Sequence, residues 1–257
     1  MNVRTQLIAL FTLVRKENHR VFRIWVQTIV PPAMTTALYF LIFGNLIGQR
    51  IGQMDGFDYA QFIAPGLIMM QVITNAYGNV VSSFFSAKMQ RHLEEMLVAP
   101  MANWTIVLGH TFGGVVRGLV VAAAVTVVAL FFTDLQVAHP FITISVIVLT
   151  AFVFSLGGLM NAIFAKNFDD VSIIPSFVLA PLSYLGGVFY SITLLPEFAQ
   201  TLSLANPILY MVNAFRYGML GVSDIDIVAA YAIIIGFAVA LFAACMFMMS
   251  RGTGIRS

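Results

Sequence analysis

The sequence predicts an all-α polytopic membrane protein, and three observations carry that prediction. Of 257 residues, 60% are hydrophobic and 9% charged, whereas soluble domains carry about 25% charge. Polar side chains are therefore too few to cover a water-facing surface. The apolar stretches are long and unbroken rather than alternating in roughly ten-residue segments, which selects helices over a closed barrel. Each stretch also reaches the ~17–25 residues a helix needs to cross hydrocarbon.

At the amino terminus, Val3, Leu7, Leu10, Phe11 and Val14 recur at helical spacing, with Arg4, Thr12, Arg15 and Lys16 around the rest of the wheel. This predicts a helix over residues 1–20 lying in the membrane interface, its apolar face in lipid. Arg15, Lys16, His19 and Arg20 follow the apolar part and no small-residue cleavage site is visible, so the segment does not read as a secretory signal. Six spanning helices are expected near Phe22–Ile47, Phe57–Phe85, Trp104–Phe132, Phe141–Ala165, Val171–Tyr190 and Ile227–Ser250. The segment 194–220 is apolar but interrupted at Asn206-Pro207 and carries Glu197 and Arg216. Each half is too short to cross the bilayer, so a re-entrant helical pair is expected before the last span. The whole chain, 1–257, reads as one transmembrane domain.

Charge fixes the expected orientation. Arg4, Arg15, Lys16, Arg20, Arg23, Lys88, Arg91, Lys166, Arg251 and Arg256 fall on one side if the spans alternate, while the other side holds Arg50 and Arg216 beside Asp55, Asp58, Asp134, Glu197, Asp224 and Asp226. The positive-inside rule places both termini in the cytoplasm and segment 194–220 on the outer face.

Several chemistries are missing. No Gly-Lys pair occurs, which excludes a phosphate-binding Walker loop. No acidic residue falls in the interior of an expected span, where a proton-coupled carrier needs a buried one; Asp58 stands at the very start of the second. Net charge is only +2, too small to suggest a nucleic-acid partner. The four histidines are scattered and the single cysteine, Cys245, lies in the last apolar stretch, so neither a metal site nor a disulfide is expected. No enzyme activity and no bound cofactor are expected of this chain; energy for uphill movement would come from another subunit.

Three sets of residues are candidates for function. In the cytoplasmic loop 86–103, Met89, Leu93, Met96 and Leu97 share one face of a short helix, with Lys88, Arg91, Glu94 and Glu95 elsewhere and Pro100 ending it. Such a helix either docks its apolar face in a partner's groove or rests on lipid headgroups. On the second span, Gln71, Asn75 and Asn79 are four apart, with Ser82 and Ser83 one turn further. They line either a translocation path or a set of interhelical hydrogen bonds. Arg117 is the one charge deep in a span, amid Gly109, Gly113, Gly114 and Gly118. An intramembrane charge costs at least ~2.5 kcal/mol unless satisfied, so Arg117 contacts either an anionic substrate or lipid headgroup, or backbone carbonyls of a neighbouring helix. Pro31-Pro32, Pro65, Pro175 and Pro181, with Gly186-Gly187, mark kinked or interrupted helices.

The stretch P-L-S-Y-L-G-G-V-F-Y-S-I-T-L-L-P-E-F…N-P-I-L-Y-M-V-N-A-F-R-Y-G-M-L-G over Pro181–Gly221 resembles the carboxy-terminal signature of type-2 permeases of ATP-binding-cassette (ABC) exporters. The runs R-I-W-V-Q-T-I-V-P-P, F-I-A-P-G-L-I-M-M-Q-V-I-T-N-A-Y and E-E-M-L-V-A-P extend the likeness over the chain, in particular to inner-membrane permeases of Gram-negative bacteria. The resemblance implies six spans, an amino-terminal interface helix, a coupling helix over Lys88–Ala99 and re-entrant helices at 194–220, with Asn206-Pro207 and Arg216 on signature positions. It implies two permease copies working with two copies of a cytoplasmic ABC ATPase, which binds the ATP and magnesium, in a bacterial inner membrane. A path too wide for six helices to enclose also favours a symmetric pair. The competing classes are a secondary carrier acting alone, which needs a titratable residue in a span, and a membrane scaffold without transport, which needs no coupling helix.

Overall fold

The computed structural model describes residues 3–99, 101–252 and 254; Pro100 and Arg256, which carried expectations above, lie outside the described residues. The chain opens with α1 (Val3–Arg23) and α2 (Trp25–Tyr39), separated by an elbow at Ile24, where the backbone leaves helical geometry. Pro31 and Pro32 sit inside α2, and the helix widens to a π-helical stretch over Phe40–Ile47 before the single turn α3 (Gly48–Ile51). Proline removes a backbone donor and crowds the preceding turn, and wide turns of this kind follow where the regular ladder is disturbed.

A two-residue hairpin, β1 (Gln53–Met54) with β2 (Phe57–Asp58), then reverses the chain through Asp55-Gly56, both with positive φ. The Asp-Gly pair is the sequence signal for such a turn, and the strictly all-α expectation omitted it. The following helices are α4 (Tyr59–Met89), α5 (His92–Val98), α6 (Asn103–Ala129) and α7 (Pro140–Phe164). After α8 (Phe168–Ile174), a π-helical stretch over Pro175–Leu179 and α9 (Ala180–Leu185), the chain turns at Gly186-Gly187. It continues through α10 (Glu197–Leu204) and α11 (Pro207–Leu220) to α12 (Ile227–Arg251).

Among the described residues, five segments are long and apolar enough to cross a membrane: Trp25–Ile51, Asn103–Ala129, Pro140–Phe164, Phe168–Leu185 and Ile227–Arg251. The segment expected at Val171–Tyr190 begins three residues earlier and stops at Leu185, because Gly187 takes a left-handed conformation that ends the helix. At 31 residues and ~46 Å, α4 has the reach to span, but Gln61, Gln71, Asn75, Asn79 and three serines dilute its hydropathy.

α4 is the hub, with 21 of its 31 residues buried, and α6, α7 and α11 pack around it. Close approach is made possible by glycine. A Cβ on Gly158 would lie 2.5 Å from the Tyr77 carbonyl oxygen, and one on Gly66 would lie 2.6 Å from that of Val188. In membranes, where apolar burial gives little drive, such backbone proximity is what packs helices. Outside the hub, Phe177 on the 175–179 stretch and Phe168 at the start of α8 are 76% and 70% exposed, so this span contributes little to the bundle of one chain.

Candidate functional site

The buried hub leaves one narrow open stripe on α4. Thr74 and Ser82 are exposed, and Met70, Asn75 and Gly78 half-buried, at helical spacing; a side chain built on Gly78 would meet nothing within 4 Å. Four of these five positions are polar or glycine, whereas a lipid-facing stripe is apolar. The expected set of Gln71, Asn75 and Asn79 with Ser82 and Ser83 is thereby divided. Asn75 opens onto the stripe, its Nδ2 donating to the Gln71 carbonyl at 3.0 Å, while the Gln71 and Asn79 side chains are buried.

Asn79 is held by α1. The Arg20 guanidinium donates to the Asn79 carbonyl at 2.9 Å and to its Oδ1 at 2.8 Å, and reaches Ser82 Oγ at 3.4 Å. One turn earlier Glu17, 1% exposed, accepts from Ser83 Oγ at 2.7 Å, lies 3.4 Å from Arg20 Nη2, and sits 3.6 Å from His110 Nδ1. Gln6 Oε1 accepts from the Ala102 amide and Thr105 Oγ1. α1 therefore docks through a face that combines Gln6, Glu17 and Arg20 with Leu13 and Val21, and Val3, Leu7 and Phe11 are left uncovered by the chain. The carboxylate absent from the interior of every expected span enters the bundle from α1 instead. Sequence reasoning missed Glu17 and His110, because Glu17 beside Arg20 reads as a solvated i,i+3 pair. The available signal was spacing: Leu13-Glu17-Val21 steps by four, as Gly109-Gly113-Arg117 does.

That parallel spacing is realised in three dimensions. The backbone of Gly109 faces Leu13 and that of Gly113 faces Glu17, while Gly114 and Gly118 face Ala76, Val80, Val72 and Ala151 on α4 and α7. The four glycines thus serve two helix faces rather than one stripe. Arg117, whose neighbour Gly118 lies against Ala76 on α4, follows one turn beyond Gly113. Among the described residues it makes no hydrogen bond and no ion pair, and its Nε is buried without a partner. The expected alternative of bonds to neighbouring carbonyls is not what holds it.

In the 86–103 loop the structure reorganises the expected helix. α4 runs on through Met89, the chain turns at Gln90-Arg91 with Arg91 in the left-handed region, and only His92–Val98 form the loop helix α5. Met89 therefore belongs to α4 and does not share a face with the others. Leu93 is 1% exposed and packed into this chain's own core, with Met96 and Leu97 half-buried beside it. The free face carries Glu94, Glu95 and Val98, the last 87% exposed. A groove of about 510 Å³ between α1 and this loop is lined by Leu13, Lys16, His92, Glu95 and Met96. Lys88, on the last turn of α4, donates to the carbonyls of Ile163 at 2.7 Å and Ala165 at 2.9 Å, tying the loop to the end of α7.

In 194–220, Glu197 is exposed at the start of α10. Asn206 caps α11, its Oδ1 accepting from the Ile208 amide at 3.0 Å and its Nδ2 donating to the Leu182 carbonyl at 2.6 Å, and Pro207 occupies the first helical position. Arg216 is fully buried, donating to the Gly187 carbonyl and lying 4.0 Å over the Phe62 ring. Its contacts make it a clamp between α11, the 186–187 turn and α4.

Comparison with known proteins gives this arrangement its class. Residues 8–220 match the ABC-2 type transporter family. The chain is 57% identical over 251 residues to the inner membrane transport permease YadH of Escherichia coli strain K12, covering 97% of this chain and 98% of that protein, and equally to YadH of Shigella flexneri. It is 25% identical over 191 residues to nodulation protein J of Rhizobium leguminosarum bv. trifolii, covering 74% of this chain and 73% of that protein. A buried hub helix with a polar opening, in a chain of this apolar composition, is thereby explained: the protein belongs to the ABC-2 type transporter family and is a multi-pass inner-membrane permease subunit of an ABC transporter.

Proposed function

We propose that this chain forms half of the translocation path of an ATP-driven exporter, with the path running along the open stripe of α4. The observation that carries this reading is the composition of that stripe. Thr74, Asn75, Gly78 and Ser82, with Met70, are the uncovered part of the middle of a helix whose other residues there are buried by its own chain. Polar groups left uncovered within a bilayer face water or another protein surface, since hydrocarbon cannot satisfy them. A second copy closes the path on its open side, and α4 serves as the second of six spans. α10 and α11 enter and leave the membrane from the outer face. Lys and Arg on alternate loops support cytoplasmic termini.

Two copies of a separate ABC ATPase drive the pair through the 86–103 loop. The test combines two measurements on the chain expressed with its ATPase. Cysteines at Gly78 and Ser82 are expected to react with a membrane-impermeant thiol reagent, and reactivity is expected to change when ATP is trapped. Background is low because Cys245, the native thiol, is buried. Failure of both positions to react, in a complex that hydrolyses ATP, overturns the assignment of the path.

A further inference from the structure

Around the cytoplasmic half of the stripe three of the unsatisfied side chains are donors. Arg117 has no hydrogen-bond partner or counter-ion among the described residues, Arg20 Nε is buried and unpaired, and Asn79 Nδ2 is buried and unpaired. The nearest acid, Glu17, is already engaged by Ser83 and Arg20. Register brings these donors together. Gly113 lies against Glu17, and a Cβ there would stand 3.5 Å from Asn79 Nδ2. Arg117 follows one turn further along α6, and its neighbour Gly118 lies against Ala76 and Val72 of α4. Two guanidinium groups that repel each other in a low-dielectric setting are costly to keep. A shared anion removes that cost, and guanidinium forks match tetrahedral oxyanions through paired charge-assisted hydrogen bonds.

We propose that Arg20 and Arg117, with Asn79 Nδ2, form an anion site at the edge of the α4 stripe that takes a phosphate-class oxyanion. This site rests on the reading of the stripe as the path, and it assigns the path a ligand bearing such a group. The group is either the headgroup of a membrane amphiphile or a free phosphate ester, and the chemistry at the two arginines is the same for both.

The test needs neither transport nor the ATPase. The detergent-purified full chain is titrated with short-chain phosphatidic acid, phosphatidylcholine and inorganic phosphate, and binding is read by native mass spectrometry. Phosphatidic acid is expected to bind at least about tenfold more tightly than phosphatidylcholine, and Arg117→Gln to weaken it about tenfold, whereas Arg251→Gln, at the exposed end of α12, leaves it unchanged. Competition by inorganic phosphate assigns a soluble ester, and its absence assigns a lipid headgroup. Should Arg117→Gln fail to purify, Asn79→Asp answers the same question. It is isosteric, places a carboxylate on Arg20 at a contact now 2.8 Å long, and is expected to lower phosphatidic acid binding about tenfold by occupying the site internally. Equal binding of the two lipids, or binding insensitive to both variants, overturns the site. If cysteines on the stripe react while binding is insensitive, only the anion site falls. If they do not react while binding is sensitive, the path assignment falls and the anion site stands.

Discussion

Glu17 and Gly113 are fitted to each other: a Cβ placed on Gly113 would lie 2.6 Å from the Glu17 Cβ. The glycine is what lets α1 approach α6 closely enough for Glu17 to meet Ser83 and His110. Gly113→Ala is expected to push α1 away and to cost about 1–3 kcal/mol by overpacking. Gly78→Ala is the control. Nothing lies within 4 Å of its new methyl group, and alanine improves helix propensity by up to about 1 kcal/mol. Thermal unfolding in detergent should therefore fall for the first variant and hold or rise for the second.

Glu17 separates a structural carboxylate from a proton carrier. Glutamine keeps an acceptor for Ser83 and removes the titratable group, so Glu17→Gln is expected to retain most ATP-driven transport. Glu17→Ala leaves Ser83 Oγ without its partner and Arg20 without its counter-ion, and is expected to cost about 1–3 kcal/mol. Arg20 is 25% exposed, which holds the loss toward the lower end through screening. Transport that collapses in Glu17→Gln while the protein stays folded would return the chain to a proton-coupled mechanism.

Lys88 joins two helix ends. Its ammonium caps the last carbonyls of α7, at 2.7 Å from Ile163 and 2.9 Å from Ala165, where the helix dipole favours a cation. Lys88→Met keeps the stem and removes the donors, with an expected loss of about 1–2 kcal/mol. Lys166→Met, on an exposed neighbour, is expected to stay within about 0.5 kcal/mol. Denaturant or thermal unfolding of the two variants side by side reads the difference.

The membrane class of the chain was legible because it depends on run length and on how few charges interrupt the runs, both one-dimensional properties. The polar spacing of Gln71, Asn75, Asn79, Ser82 and Ser83 was legible for the same reason, but not that Gln71, Asn79 and Ser83 are buried while Asn75 and Ser82 stay open. The neighbours of α1 were not. Its apolar face drew attention, yet its polar residues Gln6, Arg20 and Glu17 make the contacts with α4 and with α6 and its approach. Hydrophobic periodicity identifies a helix face without saying whether protein or lipid covers it, and in a bilayer the polar face is the one drawn to protein. Arg117 was legible as an anomaly, but its lack of a partner depends on the register of α6 against α1 and α4. The break at Arg91 was invisible too, since a left-handed non-glycine residue has no strong local signal.

The same ambiguity decides how the loop must be tested for contact with an ATPase. An amphipathic helix suggests removing its apolar anchor, Leu93, yet Leu93 is 1% exposed inside this chain. Leu93→Ala is expected to cost about 2–5 kcal/mol through a cavity and so to lower expression without reporting on a partner. Val98, 87% exposed, with Glu94 and Glu95 beside it, offers a small apolar knob in an acidic surround, which fits a groove rimmed by basic residues. Val98→Asp combined with Glu94→Lys is expected to leave the unfolding temperature of the isolated chain unchanged, since neither side chain is buried. The same variant is expected to weaken co-purification of the ATPase by about tenfold or more, a loss of roughly 1.4 kcal/mol. Charge reversal on the ATPase groove should recover part of that loss, as expected of a complementary pair. A complex that forms at full strength with Val98→Asp and Glu94→Lys in place would move the contact off the outer face of α5.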